Sequence, residues 1–271
     1  MGFEYSKTES GIRIDKCTDS TDFIKVPATI DDLPVTAIGN YAFTRCTEVR
    51  EIDLPDTIET FGTRAFSWCH RLMKITLPRS LTEIGCQAFE WCLRLMIFGI
   101  HNSDAVTVKL PDNVRDIGAE AFINCVNLHA IKMPASLTNI DYAAFKGCRS
   151  LAFVEMPDSV TRVADAVFSY CENLTGVRLS QSLTKIDNGT FKACNKLAQI
   201  KIPGGVVNIG NGAFRTCKNL ISIELPASVE KIGSNAFRDC ENLVAIKLPA
   251  TVEISRDAFK GCNDSLKMIR Y

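Results

Sequence analysis

Residues that carry chemistry are scarce in this chain of 271 residues. It has three histidines, His70, His101 and His129, and none stands beside a serine or cysteine in a recognisable nucleophile motif. There is no phosphate-binding loop, no Gly-x-Ser-x-Gly elbow and no clustered acidic pair at a break in the pattern. No closely spaced Cys-x-x-Cys pair occurs either, so the residues nominate no metal site, no cofactor and no catalytic group. Charge of one sign is equally missing. Thirty-one basic residues balance 31 acidic ones, and a chain of zero formal charge lacks the electrostatic footprint of a nucleic-acid binder. No apolar run approaches the roughly 18 residues of a membrane-spanning helix, and Met1 to Lys16 has no signal-peptide core.

What is present is repetition. An Ala-Phe pair or a near relative recurs with a cysteine three residues beyond the phenylalanine, at Phe43, Phe66, Phe89, Phe122, Phe145, Phe168, Phe191, Phe214, Phe237 and Phe259. The intervals are 23, 23, 33, 23, 23, 23, 23, 23 and 22 residues, which means one supersecondary unit stacked on copies of itself. Within a unit, an Ile-x-Leu alternation of period two reads as a short strand with one face buried. Proline closes it at Pro55, Pro78, Pro111, Pro134, Pro157, Pro203, Pro226 and Pro249, with Ser180 the exception. A second apolar pair follows, such as Leu81 and Ile84. Glycine, or Asp141, Ala164, Asp187 or Ser255, then suits a tight turn. The Ala-Phe-x-x-Cys segment, with apolar residues three apart, predicts a single helical or 3₁₀ turn. One such unit cannot bury enough apolar surface to order its own backbone, so the units must stack.

The cysteines follow the same register. Ten of the 12 occupy the repeat position, and a column of free thiols packed inside the stack explains their spacing. Bridges between stacked positions are disfavoured because the side chains run parallel.

These residues closely resemble the BspA-type leucine-rich repeats, over about residues 24 to 266. The segment from Ile24 to Gly39 resembles that family's usual first repeat with five extra residues. The resemblance implies a β-rich α/β fold: a right-handed, curved leucine-rich-repeat solenoid with a parallel sheet on one face and short helical turns at the corners. Its members are mostly surface or secreted binding proteins of bacteria and parasitic protists, so it implies adhesion or partner binding and no enzymatic activity. Residues 1–271 are read as one solenoid. Residues 1–23 are its β-hairpin cap, 24–265 about ten repeats with an insertion near 99–108, and 266–271 a terminal strand. Free thiols and the missing leader point to the cytoplasm, whereas the resemblance points to the cell surface.

Consensus positions are structural, so departures from consensus are the candidates for function. The insertion, which contains His101 in Gly99-Ile100-His101-Asn102-Ser103-Asp104-Ala105, is the largest. Trp68 and Trp91, the only tryptophans, each lie two residues after a repeat phenylalanine and should stack on consecutive coils, with Tyr170 three coils further on. The outward strand column Asp53, Thr76, Lys109, Lys132, Glu155, Arg178, Lys201, Glu224 and Lys247 reads as a self-satisfied charge ladder. Glu155 stands between Lys132 and Arg178, and Glu224 between Lys201 and Lys247. The neighbouring column carries Ile97 and Phe153, which would leave apolar spots on the sheet. The candidate ligand-binding residues are therefore Trp68, Trp91, His101 and Phe153, for a protein or glycan partner. The alternative is self-association through the carboxy-terminal strand.

Overall fold

The computed structural model describes residues 2–99 and 108–271, with the backbone alone at 97–99 and 108. It is a β-solenoid of about eleven turns with parallel sheets. Most turns contribute two short strands. The first ladder starts at Phe23–Lys25, passes through Glu51–Asp53 and Phe153–Glu155, and ends at Lys267–Arg270. The second starts at Leu33–Ile38 and ends at Glu253–Ile254. Residues one period apart are in register, for example Ile131 opposite Val154 and Val154 opposite Val177. That alignment is what a constant period must produce.

The chain opens with an antiparallel hairpin of β1 (Phe3–Thr8) and β2 (Gly11–Cys17), and β2 pairs in parallel with Leu33–Ile38. Phe3 packs on Phe43 with ring centroids 6.1 Å apart, closing the core at that end. The extra residues of the first repeat form a miniature hairpin. Thr29–Ile30 runs antiparallel to Leu33 and Pro34 around Asp31 and Asp32, both left-handed at φ 50° and 59°.

Inside, the repeat phenylalanines form a continuous aromatic spine. From Phe43 to Phe259 successive rings lie 5.1 to 5.8 Å apart and close to parallel, and all but Phe259 are fully buried. Phe89 and Phe122 flank the insertion in sequence yet stack at 5.4 Å, so the extra residues leave the spine undisturbed. The cysteine column runs beside it. All 12 cysteines are free thiols. From Cys69 to Cys262, each ladder thiol donates to the carbonyl of the phenylalanine in the preceding turn, as Cys69 does to Phe43 at 3.0 Å and Cys171 to Phe145 at 3.2 Å. Burial pushes the thiols of Cys92, Cys125, Cys148, Cys171, Cys194 and Cys217 upward, Cys217 to about 12.

The corner differs from expectation: it is no helical turn, and the described residues contain no helix. Two residues per corner, four apart, adopt left-handed backbone, such as Arg64 at φ 57° and Trp68 at φ 62°. A right-handed turn cannot pass through them. Instead the amides alternate in direction. Tyr41, Phe43 and Arg45 donate to Thr63, Ala65 and Ser67 of the next turn, while Ala42, Thr44 and Cys46 donate three residues back. The corner is thus a third hydrogen-bonded ladder. The glycine before it also has another purpose than expected. None of Gly39, Gly62, Gly85, Gly118, Gly210 and Gly233 has positive φ. At Gly62 a Cβ would lie 2.5 Å from the Asn40 backbone nitrogen, and at Gly233 2.7 Å from that of Asn211. Close approach of stacked backbones, not turn conformation, selects glycine there.

Candidate functional site

Among the described residues, the first-ladder face carries the most exposed aromatic ring of the strands. Phe153 is 51% exposed. Its register neighbours are Ala130 and Gly176, so the ring has no bulky side chain on either side. It leans over Gly176, where a Cβ would come within 3.0 Å of Phe153 Cδ2. Two hollows meet at this ring. The smaller, about 570 Å³, is floored by Leu110, Ile131 and Met133 and edged by Lys109, Lys132, Glu155 and Arg178. The larger, about 910 Å³, is floored by Val177, Ile200 and Ile202 and edged by Arg178, Gln199, Lys201 and Glu224.

The larger hollow coincides with a gap in the first ladder. Gly176–Arg178 ends one run of strands and Ser222–Glu224 begins the next. Gln199, Ile200 and Lys201 between them form no strand, and no backbone hydrogen bond joins 199–202 to 176–179. Val177 is accordingly half-buried, where its counterparts Ile75 and Val154 are fully covered. Local sequence contributes to the gap. Ser180 replaces the strand-closing proline and turns its hydroxyl onto the Val160 carbonyl at 2.6 Å, and Gly204-Gly205 follows the next proline. The corner ladder stays intact here, with Phe168 donating to Thr190 and Phe191 to Ala213.

Electrostatics sharpens the picture. Glu155 lies 3.9 Å from Arg178, Glu224 3.3 Å from Lys247 and Asp112 3.2 Å from Lys109, so every carboxylate lining the hollows is in an ion pair. The outward charge column is therefore only partly self-satisfied. Among the described residues Lys132 and Lys201 are in no ion pair. Arg178 also reaches Asp158 at 3.2 Å. The Gln181 amide, and after it Arg178, hold the Asp158 carboxyl below its usual range. Thr76, expected to point outward, is buried beside Asp53 on the neighbouring strand.

Trp68 and Trp91 occupy the corner, not this face. Their rings stack at 5.5 Å and 27°, with His70 at 5.6 Å from Trp68. Trp68 is 36% exposed and Trp91 half-buried. Neither lines the two hollows, so the structure does not bring them together with Phe153. His101, with most of the insertion, lies outside the described residues, as does the Ile97 side chain. Sequence reasoning missed Lys132 and Lys201 as unpaired charges, and it missed the gap at 199–202. Ser180 and Gly204-Gly205 were the available signals.

No curated protein matches the chain. Among solved structures it is similar to the leucine-rich repeat protein TpLRR of T. pallidum, at 28% identity over 81% of this chain and 88% of that one, with a TM-score of 0.56. A leucine-rich cell surface protein of Faecalibacterium prausnitzii is 26% identical over 100% of this chain and 93% of that one, also with a TM-score of 0.56. A leucine-rich repeat protein of Eubacterium ventriosum shares the fold at 17% identity, covering 98% of this chain and 94% of that one, with a TM-score of 0.58. The BspA type leucine-rich repeat region matches in six copies over residues 19–104, 98–220 and 138–266. By period, spine and match alike, the chain belongs to the BspA-type leucine-rich repeat family.

Proposed function

We propose that this repeat scaffold is a non-catalytic, adhesin-like binding protein whose first-ladder face receives a protein partner. The observation that carries the reading is Phe153, a half-exposed ring standing between small neighbours where two hollows meet. An aromatic side chain flanked by apolar hollows has the make-up of an interface anchor, which holds a disproportionate share of binding energy. The similarity to a leucine-rich cell surface protein supports a scaffold of this kind. In a quantitative capture experiment with the full chain, Phe153→Ala is expected to lose most of the proteins retained by wild type while melting at the same temperature. Trp68→Ala/Trp91→Ala should retain them. Equal retention by the Phe153 variant would remove the sheet face from consideration.

A second reading is self-association through the last strand. Lys267–Arg270 is exposed throughout, and Met268, Ile269 and Tyr271 are 45%, 47% and 53% exposed. Such an edge is a template for pairing with another strand. Light scattering across a hundredfold concentration range should then give a rising mass, which Ile269→Lys abolishes; a constant monomer mass sinks this reading.

A further inference from the structure

The class of partner follows from the charges around Phe153, granted the sheet-face reading above. Lys132 and Lys201 are the two lining cations without an ion pair, and all lining carboxylates are already paired. The register sets their separation. Lys132 faces Glu155 and Glu155 faces Arg178, two rungs at about 4.8 Å, and Lys201 stands on the next turn across the open stretch, so the two lysines are at least roughly 14 Å apart, within the reach that their flexible side chains adjust. An extended peptide advances about 3.3 Å per residue, and side chains on one face recur every second residue. Residues i and i+4 of such a peptide are roughly 13 Å apart and point the same way, with residue i+2 between them.

Midway between the lysines lies the Glu155–Arg178 ion pair, and two residues along the same strands, on the same face, stand Phe153 and Gly176. The missing side chain of Gly176 leaves space there against the ring. The hollows on either side are floored by aliphatic side chains, which suit the apolar groups of a peptide better than the hydroxyl-rich edges of a sugar. We infer that the first-ladder face binds an extended acidic segment of a protein partner. Lys132 and Lys201 hold two carboxylates four residues apart, and an apolar side chain between them rests on Phe153. Charge-assisted hydrogen bonds from the two lysines supply the selectivity, because an amide or hydroxyl in the carboxylate's place leaves the cations uncompensated.

The test uses the full chain and fluorescence anisotropy with four labelled probes. These are the peptide Gly-Ser-Glu-Thr-Leu-Thr-Glu-Ser-Gly, its form with both Glu replaced by Gln, a form with the two Glu only two residues apart, and hexagalacturonate as an acidic glycan. The first peptide is expected to bind saturably, with affinity falling as salt rises. Lys132→Ala and Lys201→Ala should each weaken it about tenfold, Phe153→Ala at least as much, and Lys231→Ala on the second ladder not at all. Equal binding of the Gln form or of the two-residue spacing overturns the inference. So does preference for the galacturonate, or no binding of the first peptide at about 1 mM. Failure of every peptide while Phe153→Ala still abolishes protein capture would sink the acidic segment alone; unchanged capture would sink the sheet-face reading beneath it.

Discussion

Raised from pH 8 to pH 11, the chain is expected to lose its fold cooperatively near pH 10. Six fully buried thiols, Cys92, Cys125, Cys148, Cys171, Cys194 and Cys217, have their pKa pushed up by burial, Cys217 to about 12. In the unfolded chain each titrates at an ordinary value, about 8.5. A pKa that is higher in the folded state gives stability that is complete below the unfolded value and is lost as pH climbs toward the folded one. Each thiol then costs about 1.4 kcal/mol per pH unit above roughly pH 9, and six of them about 8 kcal/mol. A domain stable by 5–15 kcal/mol is exhausted within one to two units. Urea unfolding at half-unit steps of pH measures the slope directly, and Cys171→Ala should reduce it by about 1.4 kcal/mol per pH unit. A stability that stays flat between pH 8 and pH 10 would contradict the buried thiol column.

The second large effect belongs to the aromatic spine. Phe145 is fully buried, with Phe122 at 5.2 Å and Phe168 at 5.5 Å on its two sides. Phe145→Ala is expected to cost about 3–5 kcal/mol, near the upper end because stacking on two neighbours is lost along with burial. In a stack whose stability is a sum of turns and nearest-neighbour interfaces, damage at the centre weakens two interfaces at once. Phe259→Ala, in a half-buried terminal ring with one stacking neighbour, should cost about 1 kcal/mol. The urea midpoints of the two variants give the comparison. Equal losses would mean that the spine is not a chain of coupled pairs.

The spine and the thiol column were legible in the sequence because a fixed period puts like residues on top of one another. The corner was not. Arg64, Trp68, Gln87 and Trp91 are left-handed, yet none is a residue type that signals positive φ. The clue lay down the column, in Gly147 and Gly261 two residues after their phenylalanines and Gly189 and Gly212 two before. Phe153 was visible as an apolar departure from consensus. The unpaired state of Lys132 and Lys201 was not, because Glu155 and Glu224 each have two cations as ladder neighbours, and side-chain geometry alone decides which one they meet. The gap at 199–202 was marked only at its flanks, by Ser180 and Gly204-Gly205, and not by its own residues. Gln199-Ile200-Lys201-Ile202-Pro203 fits the strand pattern as well as any other copy does.

The corner ladder bears on how such a molecule can vary. Around Gln199 the strand hydrogen bonds are missing, yet Phe168, Phe191 and Phe214 keep their stacking and their amide bonds to the next turn. Cohesion across this turn is therefore carried by the corner side of the coil. The corner works as a backbone of vertebrae, and the first-ladder face as panels that can be cut, opened or recharged one turn at a time without loosening the column.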